Sequence, residues 1–444
     1  MSRISNISVV GLGKLGLCLA AVFASKGFNV TGIDLDKFKI DSVNNAKSPI
    51  FEPGLQELIA SNKNRLAATD DFNTIKKTDA TFVVVPTPSN EFGEFSLEFV
   101  RPVMEKIGKV LSSKDGYHLV VLSSTVMPGS MDDTVRPVLE SSSKKKCGKD
   151  FGLCYNPEFI ALGDVIRGFL EPDFILVGES DTKAGEMLSE IHRAVSQAPI
   201  ERMNFVNAEI AKIAVNSFVT MKISFANTLA EICENLPGGD AEKITGAIGR
   251  DKRIGSAYLQ GALGYGGPCF PRDNIAFVRF AEKIGIDAQL ATATHDINVK
   301  QVQRIIKLIE SIGVHPPAKV GVLGLTYKPK TNVTEASQPL MLVNSLSEQG
   351  FQVYAYDPAF ANGSENVVGP KINLTKNAED CIMSSDLCII ATPWDVFSKI
   401  DKSKFSNKII LDCWRIFGQD GLQNALRYFT VGRNPSLTSL KNTD

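Results

Sequence analysis

The residues best suited to chemistry lie in one glycine- and proline-rich stretch, residues 264–273, which reads Gly-Tyr-Gly-Gly-Pro-Cys-Phe-Pro-Arg-Asp. Its glycines allow positive φ and a close approach of backbone to a bulky ligand, and its prolines fix φ on both sides of Cys269. One interpretation is a stiff loop that presents a nucleophile. Arg272 could then favour the thiolate, and Asp273 could accept a proton or order the loop. The alternative is a Gly/Pro turn around a buried, inert cysteine.

Bulk composition excludes several other kinds of protein. A chain of 444 residues predicts two or three domains. A net charge of −1 gives no basic face for nucleic acid or an anionic membrane, and no apolar run reaches the ~18 residues of a membrane span. A strand pattern begins at once, which leaves no room for a signal peptide. Eight cysteines without a CxxC pair, far from the four histidines, predict no metal site and reduced thiols in a cytoplasmic protein.

The first strand pattern leads into a glycine motif. Residues 7–10 form an apolar run followed by Gly11, Gly13 and Gly16 in the spacing GxGxxG, then a helical pattern, a second strand at 28–33 and Asp34. In a βαβ unit these glycines permit a tight turn, a close pyrophosphate and close helix packing, and the helix N-terminus favours the anion. Asp34 would bind a ribose 2′-hydroxyl and repel a 2′-phosphate. This unit predicts NAD as the cofactor; the alternative is a tight turn that binds nothing.

Further strand patterns at 81–85, 119–123, 151–155 and 174–177 alternate with helical ones, which predicts a doubly wound parallel sheet with its ligand crevice at the carboxyl ends of the strands. Three loops at those ends carry suitable polar groups, namely Thr87, Thr125 and Glu158. The Thr125 hydroxyl could contact the nicotinamide end or a water, or could simply make an N-cap or turn. Glu158 could be a catalytic base or a first-turn acid of a helix.

Residues 207–236 show helical spacing of apolar side chains over about 30 residues, ended by Pro237. A helix this long predicts a link between two sheet domains and a face for dimerisation. Lys212 and Asn216 are one turn apart on it and could both address a developing alkoxide, or could be an exposed polar pair. Helical patterning resumes over roughly 274–312.

A second α/β domain is predicted from strand patterns at 319–324, 351–356, 387–391 and 409–411. Its first turn lacks the GxGxxG spacing, so we expect a ligand other than a dinucleotide. Lys328, Trp394 and Arg415 follow predicted strands and could contact a nucleotide or sugar; a solvated lysine is the alternative for Lys328. The overall prediction is two Rossmann-like doubly wound domains joined by a long central helix or helical domain. Their boundaries are a NAD-binding domain at 1–203, a central dimerisation domain carrying the cysteine loop at 204–314, and a nucleotide-sugar-binding domain at 315–444.

Taken together in this order, GLGKLG, STVMPG, NPEF, the Lys212/Asn216 helix, GYGGPCFPRD, GLTYKP and YDP resemble the UDP-glucose/GDP-mannose dehydrogenase family. The resemblance implies NAD-dependent, four-electron oxidation of the C6 alcohol of a nucleotide sugar through a thiohemiacetal and a thioester on Cys269. It implies catalytic roles for Cys269, Lys212, Asn216, Asp273, Glu158 and Thr125, cofactor contacts by Gly11, Gly13, Gly16, Asp34, Lys39, Thr87, Thr125 and Arg272, and substrate contacts by Glu158, Phe159, Lys212, Asn216, Arg253, Tyr258, Gly266, Lys328 and Arg415. A homodimer or higher homo-oligomer is also implied, with Arg253 reaching in from a second subunit.

Three positions depart from the family pattern: Leu162 and Thr334 where members contact the cofactor, and Gln260 where some members use a lysine on the substrate. They leave the sugar and its nucleotide open. Two other functions stay open at this point. One is a single-step hydroxyacid or hydroxyacyl dehydrogenase, which would need neither Cys269 nor a second α/β domain. The other is a non-catalytic protein that binds NAD or a nucleotide sugar.

Overall fold

The structure, a computed structural model, describes residues 4–360, 368–418 and 421–435. The chain divides into two compact units between Val215 and Asn216. No helix within the described ranges is long and apolar enough to cross a membrane.

The first unit is built on one eight-stranded sheet with the order β3-β2-β1-β4-β5-β6-β7-β8. Its strands are β1 (Asn6–Val10), β2 (Asn29–Ile33), β3 (Leu66–Thr69), β4 (Ala80–Val83), β5 (His118–Leu122), β6 (Phe151–Tyr155), β7 (Ile175–Glu179) and β8 (Ile200–Met203). Its helices are α1 (Lys14–Ser25), α2 (Lys37–Asn44), α3 (Leu55–Ser61), α4 (Val100–Leu111), α5 (Arg136–Ser143), α6 (Val165–Leu170) and α7 (Thr182–Val195).

The central strands of this sheet are near-continuous apolar runs because both faces of the sheet are covered. Every residue of β5 and β6 is buried, the pattern expected of a sheet between two helical layers. One face packs against α1, α3, α6 and α7, and the other packs against α4 and α5. The order 3-2-1 followed by 4-5-6 puts the switch point between β1 and β4, where a ligand crevice is expected.

Two features of this sheet differ from the sequence prediction. β6 and β7 pair antiparallel, whereas all other neighbours in the sheet are parallel. The connection between them contains only the six-residue helix α6. The short strands β3 and β8 were also missed, since each has only four residues and lacks a strong apolar run.

The second unit contains a six-stranded parallel sheet with the order β11-β10-β9-β12-β13-β14. Its strands are β9 (Lys319–Leu323), β10 (Gln352–Tyr356), β11 (Asn373–Leu374), β12 (Leu387–Ile390), β13 (Ile409–Asp412) and β14 (Arg427–Thr430). In chain order this is again 3-2-1-4-5-6, so both sheets are Rossmann-like, as the sequence predicts. The edge strands β11 and β14 were not foreseen.

Helices of the second unit precede its sheet or cover it. They are α9 (Ala241–Ile248), α10 (Phe270–Lys283), α11 (Gln289–Val299), α12 (Gln301–Ser311), α13 (Gln338–Glu348), α14 (Ala378–Met383) and α15 (Asp395–Ser398). The helical pattern predicted over 274–312 is therefore three helices. α10 ends at Lys283. Gly285, two residues later, has a left-handed φ of 78°, the conformation that glycine adopts most easily at a helix end.

The long helix α8 (Phe205–Glu234) is continuous over 30 residues. It begins in the first unit and ends in the second, because the division between Val215 and Asn216 falls within it. Lys212 and Asn216 are both buried on it, so the alternative of an exposed polar pair is wrong.

Candidate active site

The glycine motif after β1 forms the cradle that a dinucleotide requires. Gly11 has a φ of 95°, and its N–H donates to the carbonyl of Ile33 at 2.8 Å. A Cβ added to Gly16 would lie 1.9 Å from the Gly11 oxygen, whereas one added to Gly13 would have no neighbouring heavy atom within 4 Å. The first and third glycines are thus demanded by the fold. The second instead leaves the backbone open at the N-terminus of α1, where an anionic pyrophosphate is favoured.

Asp34 follows β2 at the edge of this cradle. Its Oδ2 accepts the N–H of Leu12 at 2.7 Å, its Oδ1 accepts the N–H of Asp36 at 2.9 Å, and Lys39 lies 3.3 Å away. Burial raises the pKa of this carboxyl, but the two N–H groups and Lys39 outweigh burial and hold the pKa below its ordinary value. Asp34 is therefore an anion, suited to a ribose hydroxyl and unsuited to a 2′-phosphate.

The loops after β4 and β5 are tied to each other. The Thr87 hydroxyl donates to the carbonyl of Thr125 at 2.7 Å. Ser124 donates its hydroxyl to the carbonyl of Val85 at 2.6 Å and accepts the N–H of that residue at 3.0 Å. The helical turn that follows is capped at Ser130, so Thr125 does not occupy the N-cap that was the alternative for it.

Sequence reasoning missed Glu209, which holds the end of the β5 loop. Its two carboxylate oxygens accept the N–H groups of Gly129 at 2.7 Å and Met131 at 2.8 Å, and the side chain is fully buried on α8. Burial raises the pKa of Glu209 to about 7, although both backbone N–H groups oppose the shift. Glu209 lies three residues before Lys212, so their shared helical face was the available signal.

Glu158, Phe159 and Lys212 come together in the first unit. The Lys212 ammonium donates to the Glu158 backbone carbonyl at 2.7 Å and lies 4.8 Å from the centre of the Phe159 ring. The Glu158 Oε1 atom is buried without a hydrogen-bond partner among the described residues. Burial raises the pKa of Glu158 to about 8, against the opposing charge of Lys212. A carboxyl in this state can exchange a proton near neutral pH.

The loop that carries Glu158 is fixed at its far end by another residue that sequence reasoning missed. Glu52 accepts the N–H groups of Gly163 at 3.0 Å and Val165 at 2.8 Å. Because α6 begins only at Val165, the alternative that Glu158 is a first-turn helix acid is wrong. Leu162, one of the departures from the family pattern, packs against the apolar cluster around α1.

In the second unit, Cys269 occupies the N-cap position of the 14-residue helix α10. It is the exposed cysteine among the eight, all of which lie at described positions without a disulfide. The alternative of a buried, inert thiol is therefore wrong. The positive end of the helix dipole favours negative charge at this position.

Asp273 lies one turn into α10 and is almost fully buried. Its N–H donates to the Cys269 carbonyl at 2.8 Å, its Oδ2 accepts the Asn216 amide at 2.6 Å, and Arg272 lies 3.5 Å from its Oδ1. The structure thus brings Cys269, Arg272, Asp273 and Asn216 into one neighbourhood, in which Asp273 is fixed from both sides.

The glycines before Cys269 allow its loop to pack tightly against residues 327–336. A Cβ on Gly266 would lie 2.2 Å from the Ala336 oxygen, and the Gly267 N–H donates to the Glu335 carbonyl at 3.0 Å. Lys328 lies in the same segment, with its ammonium 6.0 Å from the centre of the Tyr327 ring. The cysteine loop and the segment that carries Lys328 are therefore neighbours.

The other residues predicted to contact the substrate differ in their exposure and in their partners. Tyr258 is 52% exposed and packs edge-on against Phe270, the residue after Cys269. The Arg253 side chain is 88% exposed and pairs with Asp251 at 2.7 Å. The Arg415 side chain is only 7% exposed, and its two terminal nitrogens donate to the carbonyls of Val431 at 2.7 Å and Gly261 at 2.9 Å.

A dinucleotide cradle, a second Rossmann-like sheet and an exposed thiol at a helix N-terminus define an NAD-dependent oxidoreductase. Residues 5–196, 206–300 and 321–419 match, respectively, the NAD binding domain, the central domain and the UDP binding domain of one family. The chain belongs to the UDP-glucose/GDP-mannose dehydrogenase family. It is an NAD-dependent nucleotide-sugar 6-dehydrogenase, and NAD is its cofactor.

Similar proteins extend over almost the whole chain. UDP-glucose 6-dehydrogenase AglM of Haloferax volcanii is 36% identical over 419 residues, 93% of this chain and 97% of that protein. GDP-mannose 6-dehydrogenase of Pseudomonas syringae is 31% identical, covering 92% of this chain and 95% of that one. The solved structure of a UDP-glucose dehydrogenase from Pyrobaculum islandicum has a TM-score of 0.88 at 32% identity, covering 97% of this chain and 98% of that one.

The glycine cradle yields a matched test. Gly13→Ala should fold normally, because its Cβ meets no heavy atom within 4 Å, but should weaken NAD binding by about tenfold or more by obstructing the pyrophosphate. Gly16→Ala should instead lower the melting temperature, because its Cβ would meet the Gly11 oxygen at 1.9 Å. Titration calorimetry and thermal unfolding measure the two effects. Gly246→Ala, which is also open, is the control; wild-type NAD affinity in Gly13→Ala would contradict the assignment.

Proposed function

We propose that this enzyme oxidises the C6 alcohol of a UDP-linked hexose or N-acetylhexosamine to the uronate, with a covalent intermediate on Cys269. The observation that carries the proposal is the exposed Cys269 thiol at the N-terminus of α10, next to the buried Asp273. UDP is favoured as the nucleotide because the third region matches a UDP binding domain. In addition, the relative UDP-glucose 6-dehydrogenase AglM is 36% identical, against 31% and 33% for two relatives named for GDP-mannose.

NAD, held by the Gly11–Gly16 turn and Asp34, supplies the hydride acceptor when bound. Lys212 and Asn216 supply an ammonium and an amide on one helix, both suited to stabilising the alkoxide that forms at C6. The carbonyl of Glu158 and the carboxylate of Asp273 hold these two groups in place. Thr125 and Arg272 complete the proposed contacts to cofactor or water.

The first two-electron oxidation, with NAD as the oxidant, turns the C6 alcohol into an aldehyde. The Cys269 sulfur adds to the aldehyde carbon, and the thiol proton passes to the aldehyde oxygen as the new carbon–sulfur bond forms. The aldehyde is thereby retained as a thiohemiacetal. A second two-electron oxidation leaves the acyl group on sulfur as a thioester. Water then attacks the acyl carbon, the carbon–sulfur bond breaks, and the uronate leaves with the thiol restored. Glu158, whose Oε1 is buried, accepts the proton of that water.

For the sugar-binding surface we propose Phe159, Arg253, Tyr258, Gly266, Lys328 and Arg415. Arg415 would act by holding Gly261 and Val431 rather than through an exposed guanidinium. Gln260 donates to the Trp414 carbonyl at 3.5 Å. It stands where some members of the family use a lysine to contact the substrate. We further propose the three-domain division at residues 203 and 314 and a cytoplasmic location, which suits eight reduced thiols.

The direct test counts NADH. With a panel of UDP- and GDP-sugars, the accepted substrate should give two NADH per uronate. Cys269→Ala should abolish uronate formation, and Cys269→Ser should leave at most slow turnover, because the hydroxyl is the poorer nucleophile. The buried Cys388→Ser, far from α10 in sequence, controls for loss of a thiol. Uronate and two NADH from Cys269→Ala would disprove the covalent route, whereas one NADH from the wild type would indicate a single-step dehydrogenase.

The raised pKa of Glu158 predicts a pH dependence. Below about 8 the carboxyl is protonated and cannot act as a base, so the rate of thioester hydrolysis should rise with pH through that value and then level off. Glu158→Gln should remove this rise and slow hydrolysis by about 10²-fold or more. Glu209, whose pKa is about 7, is retained in the variant, so the difference between the two profiles reports Glu158. An unchanged profile would exclude Glu158 as the base.

We also propose that the enzyme is a homodimer or higher homo-oligomer assembled through α8. Phe218, Phe225 and Ile232 recur every seven residues on this helix and are 60%, 51% and 49% exposed. A repeat of seven keeps an apolar stripe on one side of a helix, suited to a second copy of the same stripe. The exposed Arg253 could then reach the sugar site of a partner subunit.

Phe225→Lys should convert the oligomer to a monomer, because each interface would bury unpaired charges. Sedimentation velocity at assay concentration measures the change. Glu231→Lys places a lysine at another exposed position of the same helix and should leave the assembly intact. A wild-type protein that is already a stable monomer would refute the proposal.

A further inference from the structure

The segment that leads to Cys269 is buried but belongs to no strand or helix. Ala262, Leu263 and Tyr265 are at most 5% exposed, and residues 261–266 lie outside regular secondary structure. A buried backbone N–H or carbonyl without a partner is costly. The hydrogen bonds of this segment must therefore come from elsewhere in the unit.

Two buried asparagines supply them. The Asn298 amide, near the end of α11, accepts the N–H of Tyr265 at 2.7 Å and donates to the carbonyl of the same residue at 3.0 Å. The Asn227 amide, on α8, accepts the N–H of Ala262 at 2.9 Å and donates to the carbonyl of Leu263 at 3.3 Å. Each amide presents one acceptor and one donor, as a neighbouring strand would.

The Asn298 amide packs closely against the backbone of the segment that it holds. A Cβ on Gly264 would lie 2.4 Å from the Asn298 Oδ1 atom, so only glycine allows the amide to come this close. On the other side of the loop, the Gly267 N–H is bonded to the Glu335 carbonyl at 3.0 Å. The backbone is thus fixed at Tyr265 and again at Gly267, just before Pro268 and Cys269.

We infer that Asn298, assisted by Asn227, is a positioning residue that sets the place of the Cys269 sulfur. This inference rests on the proposed function, in which that sulfur must reach the C6 aldehyde. Pro268 is the only residue between the second anchor, Gly267, and the helix N-cap Cys269, and proline fixes its own φ. A shift of the anchored backbone therefore passes to Cys269. Misplacement of a reacting atom by ~1 Å can cost about 10²-fold in rate.

A misplaced Cys269 thiol should affect the steps after the first oxidation and leave that oxidation largely unchanged. The first oxidation does not use the sulfur, whereas retention of the aldehyde and its conversion to uronate do. In Asn298→Ala and Asn298→Asp, some of the aldehyde should leave before capture. NADH per uronate should then exceed two, and hydroxylamine should trap the aldehyde as an oxime. Uronate formation should fall by about 10- to 100-fold, while the first oxidation changes much less.

The aspartate variant separates positioning from packing, because it preserves size and one acceptor but cannot donate to the Tyr265 carbonyl when ionised. Asn44→Ala is the matched control. Asn44 makes the same pair of bonds to Ala68, at 2.8 and 3.0 Å, at the edge of the other sheet. We expect it to lower the melting temperature and to keep two NADH per uronate.

The outcomes separate the inference from the proposed function. Two NADH per uronate and no oxime in soluble, folded Asn298→Asp and Asn227→Asp would overturn the inference. If Asn298→Asp does not fold, the same measurement on Asn227→Asp decides. A wild-type enzyme that fails to give two NADH per uronate would instead contradict the proposed function itself.

Discussion

Each loop that carries a candidate catalytic group runs outside regular secondary structure, so its buried backbone depends on side chains from distant parts of the chain. Glu209 holds the loop after β5, and Glu52 holds the end of the loop after β6. Asn298 holds the approach to Cys269. In each of these loops, carboxylate or amide groups supply the hydrogen bonds that a neighbouring strand would supply in a sheet. The loops are therefore held in place without belonging to a sheet.

The same rule explains how two sheets of one topology serve different ligands. In the first, Asp34 accepts the N–H of Leu12 and remains at the edge of the glycine cradle. In the second, the corresponding Asp357 accepts the N–H groups of Leu325 and Thr326 and also the Thr326 hydroxyl and the Trp394 indole N–H. Asp357 is thus largely committed to hydrogen bonds with its own loops, whereas Asp34 lies beside the glycine motif.

Much of this architecture could be predicted because its signals are local. Each of three patterns can be recognised within one contiguous stretch of sequence: the apolar run of β1, the GxGxxG spacing and the 30-residue pattern of α8. Glu209 and Glu52 could not be assigned in that way, because their partners lie about 80 and 111 residues away in the chain. The burial of a polar side chain also cannot be predicted from the sequence around it. Lys212 and Asn216 were compatible with an exposed pair until packing placed both inside, and the antiparallel β6–β7 pair depends on sheet assembly rather than on either strand.

The central claim is that the Cys269 sulfur bonds covalently to the sugar carbon during turnover. Its most direct test is mass spectrometry of Glu158→Gln enzyme, acid-quenched during turnover with NAD and its UDP-sugar. If the intermediate is covalent, the peptide containing Cys269 gains the mass of the sugar nucleotide acyl group, and hydroxylamine removes it. An unmodified Cys269 peptide in samples that are accumulating uronate would contradict the covalent mechanism.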